Sequence, residues 1–486
     1  MKNKVNKKSV DLGKDSIRAL LLKLAIPAIA SQIVNVLYNI VDRVFIGHIP
    51  DVGPLALTGV GVSFPIVILI SSFAALFSYG AATRSSIYLG RKDKETAEKI
   101  LGNSLTSLLL ASVVLSILVL IFKDKLLHIF GASPNTISYG LEYISIYALG
   151  TIFVHITLGM NVFISVQGFS TVAMRTVIIG AITNIILDPI FIYGMGMGVR
   201  GAALATIISQ AISAFHALRF LMGDRTIIKI RKSCIHLDKK ILLPAVALGV
   251  APFIMQATES VLMLAFNYNL LKFGGDLAVG TMTITSSLMQ FALLPVDGIT
   301  LGGQAIISYN FGANNFKRVK EAFKIQTIAS VSFTTILWTL LMIFPGLFAK
   351  IFTLDIELIA NTSWAIRVFF ASIFLFGLQL SCQQSFIAFS DARTSTFLAI
   401  FRKIIVLIPL IFILPRFFEN KVFAVFLSEP IADTIAVLTT VSMFRIKFKK
   451  IEKFMKLDRN SKAKLYWKTS SLKLEVYLFD DKTLVP

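Results

Sequence analysis

Asp188 stands in the run Thr183-Asn184-Ile185-Ile186-Leu187-Asp188-Pro189-Ile190-Phe191-Ile192, where almost every neighbour is hydrocarbon. A charged side chain at the centre of a bilayer costs at least about 2.5–3.5 kcal/mol, so such residues are rare and usually functional. Asn184 precedes it by four residues and shares its helical face. Pro189 removes one backbone N–H and loosens the helix beside the acid. A carboxylate, an amide oxygen and freed carbonyls on one face can bind a small cation or a proton. Asp42, in the first apolar stretch, is a second acid of the same kind. Oxygen-only ligands suit a hard cation such as sodium. Two nearby carboxylates in a low dielectric repel each other and favour sharing a proton.

The elements that must position these groups are long and apolar. The chain has 486 residues, of which 55% are hydrophobic, and a mean hydropathy of +0.76. A soluble fold could not hide that much apolar surface, so the composition predicts an all-α polytopic membrane protein. Twelve apolar stretches are visible: 24–46, 55–82, 101–122, 138–160, 164–193, 198–221, 242–271, 277–303, 322–348, 357–388, 394–415 and 421–443. None alternates every second residue as a barrel strand would.

The net charge of +21 invites a nucleic-acid reading, but the positions of the charges argue against it. Lys and Arg collect in the N-terminal tail, at 84–99, at 219–240, at 317–324, at 393–403 and after Arg445. With an even number of spans these all fall on one side, the positive-inside pattern, which puts both termini in the cytoplasm of a bacterial inner membrane. Basic loops there would also attract anionic lipid. No cleavable signal peptide is expected, because the apolar run before Ala28-Ile29-Ala30 is too short. Cys234 and Cys382 are the only cysteines. One sits in a basic loop and the other in a span, so no disulfide is expected.

The chain divides at a polar basic linker, 222–240, and its halves echo each other. Gly80-Ala81-Ala82-Thr83-Arg84-Ser85-Ser86-Ile87-Tyr88-Leu89-Gly90 ends the second span of one half. Gly302-Gly303-Gln304-Ala305-Ile306-Ile307-Ser308-Tyr309-Asn310-Phe311-Gly312 ends the second span of the other, at an offset of 222 residues. The expected organisation is a tail at 1–23, a six-helix bundle at 24–221, the linker, a second six-helix bundle at 241–445 and a tail at 446–486. Six spans per half give both bundles one orientation, with a pseudo-two-fold axis along the membrane normal and a pathway between them.

Asn39-Ile40-Val41-Asp42-Arg43-Val44-Phe45-Ile46-Gly47, Asn184…Leu187-Asp188-Pro189 and Gly201-Ala202-Ala203-Leu204-Ala205-Thr206 together resemble the multidrug and toxic compound extrusion (MATE) family. Gln304…Ser308-Tyr309-Asn310-Phe311-Gly312-Ala313 resembles its MepA-like bacterial branch, and the resemblance covers residues 20 to 450. It implies a cation-coupled antiporter, driven by Na+ or H+ and needing no cofactor, that exports organic cationic and amphipathic compounds from the cytoplasm by alternating access. Matched motif to motif, it implies coupling-cation ligands at Asp42, Asn184, Asp188 and Thr206. It also implies cavity positions at Tyr38 and Asn161, and a helix kink at Pro27.

Glu259 lies in the seventh span, where some branches place a coupling acid paired with an aspartate in the tenth. The tenth span here contains no acid, so Glu259 is read as an attractor for the substrate's positive charge or as a buried hydrogen-bonded group. Asp297, between Pro295 and Gly298, is as well suited to capping as to function. Met160, Phe163, Met255 and Met289 lie within a turn or two of these polar positions, where aromatic faces and flexible thioethers could line a cavity. A lipid-linked saccharide or polyisoprenoid flippase of related architecture is the alternative, but it should carry cations rather than acids in its cavity. An intramembrane enzyme is remote: His48, His128, His155, His216 and His236 show no metal-ligand spacing. A complete two-bundle chain needs no second copy to form a pathway. The segment 451–486, with some alternation at Leu472–Phe479, is read as mostly disordered and given no role.

Overall fold

The computed structural model describes residues 11–352 and 355–458. The expected alternation at Leu472–Phe479 lies outside the described residues. No strand occurs among the described residues, and the chain is a succession of helices. The first half contributes α1 (Ile17–Gly47), α2 (Leu55–Gly90), α3 (Lys94–Ile129), a bent α4 (Ile137–Leu149 and Thr151–Val166, 58° apart), α5 (Ser170–Gly194) and α6 (Val199–Met222). The second contributes α7 (Lys239–Gly275), α8 (Leu277–Gly312), α9 (Phe316–Ile343), a bent α10 (Ile356–Phe369 and Ile373–Ala388, 49° apart), α11 (Ala392–Arg416) and α12 (Lys421–Glu452). Among the described residues ten helices are long and apolar enough to cross a membrane alone, and counting each bent pair as one span brings the number to twelve.

Several boundaries differ from those the apolar runs suggest. The span expected at 138–160 runs on to Val166, and the one expected at 164–193 begins only at Ser170. Hydropathy cannot see the cause. The chain bends at Gly150 inside a continuous apolar run, and turns at Gly168, whose φ is 90°. Helix α1 begins at Ile17, ahead of the first apolar stretch, and the α12 helix continues to Asp458.

Lipid-facing and protein-facing surfaces separate as a bilayer requires. On α3, Leu110, Val113, Ile117 and Ile121 recur at helical spacing, each more than half exposed. Leu101, Leu105 and Leu108 of the same helix are buried. With no aqueous driving force between spans, such helices hold together by close packing and hydrogen bonds.

The internal repeat is geometric as well as sequential. Lys92 and Asn314 both turn with positive φ, at 63° and 56°. Each is followed by a capping side chain. Asp93 accepts from the Thr96 N–H at 3.0 Å and Asn315 from the Arg318 N–H at 3.4 Å. Gly168 and Ser390 form a second positive-φ pair at the same offset of 222 residues. The motif glycines have a structural reason too. A Cβ on Gly90 would strike the Tyr309 carbonyl, and one on Gly312 would strike the Ile87 carbonyl. The ends of α2 and α8 therefore approach reciprocally, backbone against backbone, as only glycine allows.

Contacts between the bundles gather at that end, where the basic loops lie. Gln304 donates to the Thr83 hydroxyl at 2.7 Å, and Phe73 of α2 meets Phe253 of α7 edge to face at 5.0 Å. Toward the other end of α1, Leu37, Ile40 and Val44 are exposed. The linker is anchored rather than loose. The Gln167 side-chain oxygen accepts from the Thr226 hydroxyl and the Ile227 and Ile228 N–H groups at 2.8–3.0 Å. Arg231 pairs with the buried Glu98 at 2.5 Å.

Candidate functional site

Helices α1, α5 and α6 bring the expected cation ligands together. Asn184 and Asp188 have no exposed surface, and Thr206 and Asp42 retain only 6% and 7%. The Asn184 amide donates to Asp188 Oδ1 at 3.1 Å, the i,i+4 pairing that their spacing predicts. Asp42 on α1 lies within electrostatic range of Asp188 across the helix interface. Arg43 does not close over this acid; its guanidinium sits 4.5 Å from the centre of the Phe64 ring. Two tyrosines frame the group: Tyr143 reaches the Thr206 side chain, and Tyr38 reaches Gln210.

The proline reading holds locally. α-Helical geometry ends at Pro189, and Ile190–Gly194 continues as a π-helical turn. Tyr193 in that turn donates to the Phe45 carbonyl at 2.6 Å and fixes the end of α5 against α1. The acid thus sits at a deliberate break beside its partner helix.

Oxygens without partners give the site its chemistry. Asp42 Oδ1, Asn184 Oδ1 and Asp188 Oδ2 are buried and accept no hydrogen bond. The same is true of the Asn161 and Gln210 side-chain oxygens on α4 and α6. Each unsatisfied buried polar group costs about 1–3 kcal/mol, and oxygens of this kind are able to accept a proton or a hard cation. Tyr38 and Asn161 are partly buried. Met160 and Phe163 are instead fully enclosed in the apolar core of the first bundle and are not brought to the polar group. Pro27 lies inside α1.

In the second bundle the basic run at 393–403, counted above with the clusters on one side, reaches into the span expected at 394–415: Arg402 and Lys403 lie inside the bundle on a π-helical segment of α11, Phe401–Leu407. Arg402 turns to α12. Its Nε is 2.7 Å from Asp433 Oδ1 and a terminal nitrogen is 2.9 Å from Glu429 Oε1. Its guanidinium also stacks on Phe376 at 4.8 Å. Lys403 turns to α7, pairing with Glu259 and donating to the Met255 carbonyl. Asp297 on α8 lies within electrostatic range of both Glu259 and Lys403. Met255 and Met289 pack against the apolar core of this bundle, and the Gln383 amide donates to the Met255 sulfur at 3.4 Å.

Arg402, Lys403, Glu429, Asp433, Gln210 and Tyr143 were not anticipated. Glu429 and Asp433 carried the signal that marked Asp188, acids within an apolar stretch, and they stand four residues apart. Among the described residues no three His, Cys, Asp or Glu side chains gather as a metal site.

Twelve apolar helices in two repeat-related halves, with buried acids between helices, define a secondary transporter rather than an enzyme. The MatE family model matches this chain twice, over residues 27–190 and 252–413, once in each half. The chain belongs to that family, the multidrug and toxic compound extrusion transporters. Among curated relatives, the multidrug export protein MepA of Staphylococcus haemolyticus is 24% identical over 88% of this chain and 94% of its own. MepA of Staphylococcus aureus strain NCTC 8325 is 24% identical over 87% of this chain and 94% of its own. Two solved structures share the fold. A MATE protein in the bent conformation aligns with TM-score 0.86 at 23% identity, covering 93% of this chain and 99% of its own. An outward-facing multidrug resistance MATE family transporter aligns with TM-score 0.85 at 22% identity, covering 92% and 99%.

Proposed function

We propose that this transporter is an antiporter that exports organic, cationic and amphipathic compounds in exchange for Na+ or H+. The observation that carries the reading is the convergence of unpartnered buried oxygens from Asp42, Asn184 and Asp188, with Thr206 beside them. In the cleft-open form the coupling ion enters at these oxygens from the side away from the basic loops. Filling them draws α1 toward α5 and α6 and weakens the hold on substrate, which leaves outward. The bundles then rock about the contact of α1 and α2 with α7 and α8, and the ion is released at the other face. The positive-inside distribution makes the basic end cytoplasmic, with both termini there, in a bacterial inner membrane. One elementary charge moving inward across 100 mV supplies about 2.3 kcal/mol. A single chain contains the whole pathway and works as a monomer.

The flippase reading gains nothing from the cations found in the second bundle. Arg402 and Lys403 are both tied to carboxylates, and acids outnumber them in the group. The test is efflux of a fluorescent cationic dye from loaded cells, with Na+ and H+ gradients imposed separately, for wild type and Asp188→Asn. Export driven by one gradient and lost in the variant is expected. Full export by a well-folded Asp188→Asn protein would overturn the coupling role. Movement of an anionic lipid carrier in place of dye would favour the flippase.

A further inference from the structure

The second bundle answers the first in an unexpected way. In the first, acids on α1 and α5 face each other with open oxygens. In the second, the repeat-related helices α7 and α11 face each other as well, but α11 supplies its own cation. The exposures of that pair are opposite: the Glu259 side chain is 60% exposed and that of Lys403 only 5%. Asp297, Glu429 and Arg402 all lie within electrostatic range of Glu259, so its carboxylate belongs to the charged group of this bundle. A ligand arriving at the pair meets the carboxylate first, with the ammonium behind it.

We propose that Lys403 is a tethered rival for Glu259: an organic cation binds this carboxylate only by displacing the lysine ammonium, which moves toward Asp297. The inference rests on the export reading above and names a residue that sets its cation selectivity. Three observations favour exchange over a fixed structural pair. The ammonium keeps a second acceptor, the Met255 carbonyl at 2.5 Å, so it is not stranded when Glu259 is taken. A second carboxylate, Asp297, lies in range on the neighbouring helix. The other basic residue of the π segment, Arg402, has two carboxylates of its own and does not compete. Adjacent residues on a helix point about 100° apart, so the two bases serve separate partners.

The consequence is a threshold. A weak or partly neutral cation does not dislodge Lys403, whereas a delocalised cation with a large apolar body does, because its body gains contacts that the lysine lacks. Asp297 would also carry the event to the other bundle, since the next residue, Gly298, packs against Ile29 of α1, close to Pro27.

The test is equilibrium binding of ethidium, followed by fluorescence anisotropy, to the full-length protein in nanodiscs, with neutral Nile red as control. Lys403→Met is expected to tighten ethidium binding at least tenfold and leave Nile red within twofold. Glu259→Gln is expected to weaken ethidium tenfold or more, and Lys403→Met with Glu259→Gln to behave like Glu259→Gln. A pair that merely holds α7 to α11 would instead lower the melting temperature of Lys403→Met without tightening ethidium, which overturns the proposal. If Lys403→Met does not fold, the charge-free double variant stands in for it. Ethidium binding by that variant equal to wild type then also overturns the proposal, because it removes Glu259 from recognition. In either of those cases wild type still binds ethidium and Asp188-dependent export stands. Absence of ethidium binding in every form would sink both readings.

Discussion

At the scale of single residues, the two bundles handle buried charge in opposite ways, and stability should report the difference. The Asp42–Asp188 pair faces itself across α1 and α5, and one oxygen of each, Asp42 Oδ1 and Asp188 Oδ2, accepts nothing. Asp188→Asn removes a like-charge repulsion and adds a donor. It should therefore melt no lower than wild type, and gain up to about 2 kcal/mol, as strained functional sites often do when relieved. Any ligand that binds only the folded state stabilises it by mass action, about 2.7 kcal/mol at one hundred times its dissociation constant. Wild type should thus melt higher as the coupling ion is added, and Asp188→Asn should not respond. A melting curve for the variant that still climbs with that ion would place the ion elsewhere. Arg402 is the reverse case, because it neutralises Glu429 and Asp433 at 2.9 and 2.7 Å. Arg402→Met leaves two carboxylates buried against each other and should cost about 3–5 kcal/mol. Adding Glu429→Gln and Asp433→Asn should recover most of the loss, read by thermal unfolding in detergent. No recovery would mean that packing on Phe376, not charge, is what Arg402 supplies.

At the scale of elements, what could be read in advance depended on whether a local signal had a single meaning. An acid in hydrocarbon has few meanings, so Asp188 with Asn184 a turn before it was legible, and the hydrogen bond between them follows from spacing alone. A basic run at a span boundary has two, loop or interior, and only the folded chain shows Arg402 and Lys403 paired in the interior. The deciding fact is the π segment Phe401–Leu407, which reorients Arg402 and Lys403 inward and leaves no trace in hydropathy. The same ambiguity hid Glu429 and Asp433, whose partner Arg402 stands in that run. The bend at Gly150 was equally silent, since both arms of α4 are apolar. The repeat was legible as three shared residues, but its purpose was not. Only the folded chain shows Gly90 and Gly312 seated against each other's helices. A leucine at Gly312 would ordinarily favour a helix by about 1 kcal/mol. Here it must push α2 away from α8, so Gly312→Leu should raise the reactivity of a thiol placed at Thr83, measured by maleimide labelling. Unchanged labelling in a folded variant would mean that the contact yields without parting the bundles.

At the scale of the whole molecule, the proposed alternating access requires that the contact at the basic end break and reform in every cycle. That contact has a polar centre, the Gln304–Thr83 hydrogen bond at 2.7 Å, with the Gly90–Gly312 approach beyond it. A second tie lies outside the bundles. Arg318 binds the Leu12 and Asp15 carbonyls at 3.0 and 2.7 Å, and Asn310 donates to Leu12 at 2.9 Å. The segment leading into α1 is thereby fastened to α8 and α9 of the other half. None of these bonds is individually strong, at about 0.5–1.5 kcal/mol net each. Under the proposed antiport that weakness is required, because an ion gradient supplying only a few kcal/mol must open them all. A covalent tie should therefore stop the cycle where a lost hydrogen bond would only bias it. Thr83→Cys with Gln304→Cys, in a chain whose native Cys234 and Cys382 are replaced by serine, places two thiols where the amide and hydroxyl now meet. Bridging them with a short bifunctional thiol reagent should abolish dye export by holding the bundles closed at the basic end, and cleavage of the bridge should restore it. Arg318→Ala should keep export but favour the form with that end parted, so that the same bridge forms more slowly. Export that continues with the thiols fully bridged would show that the two bundles need not separate here. The pathway would then have to run through a single bundle rather than between the two.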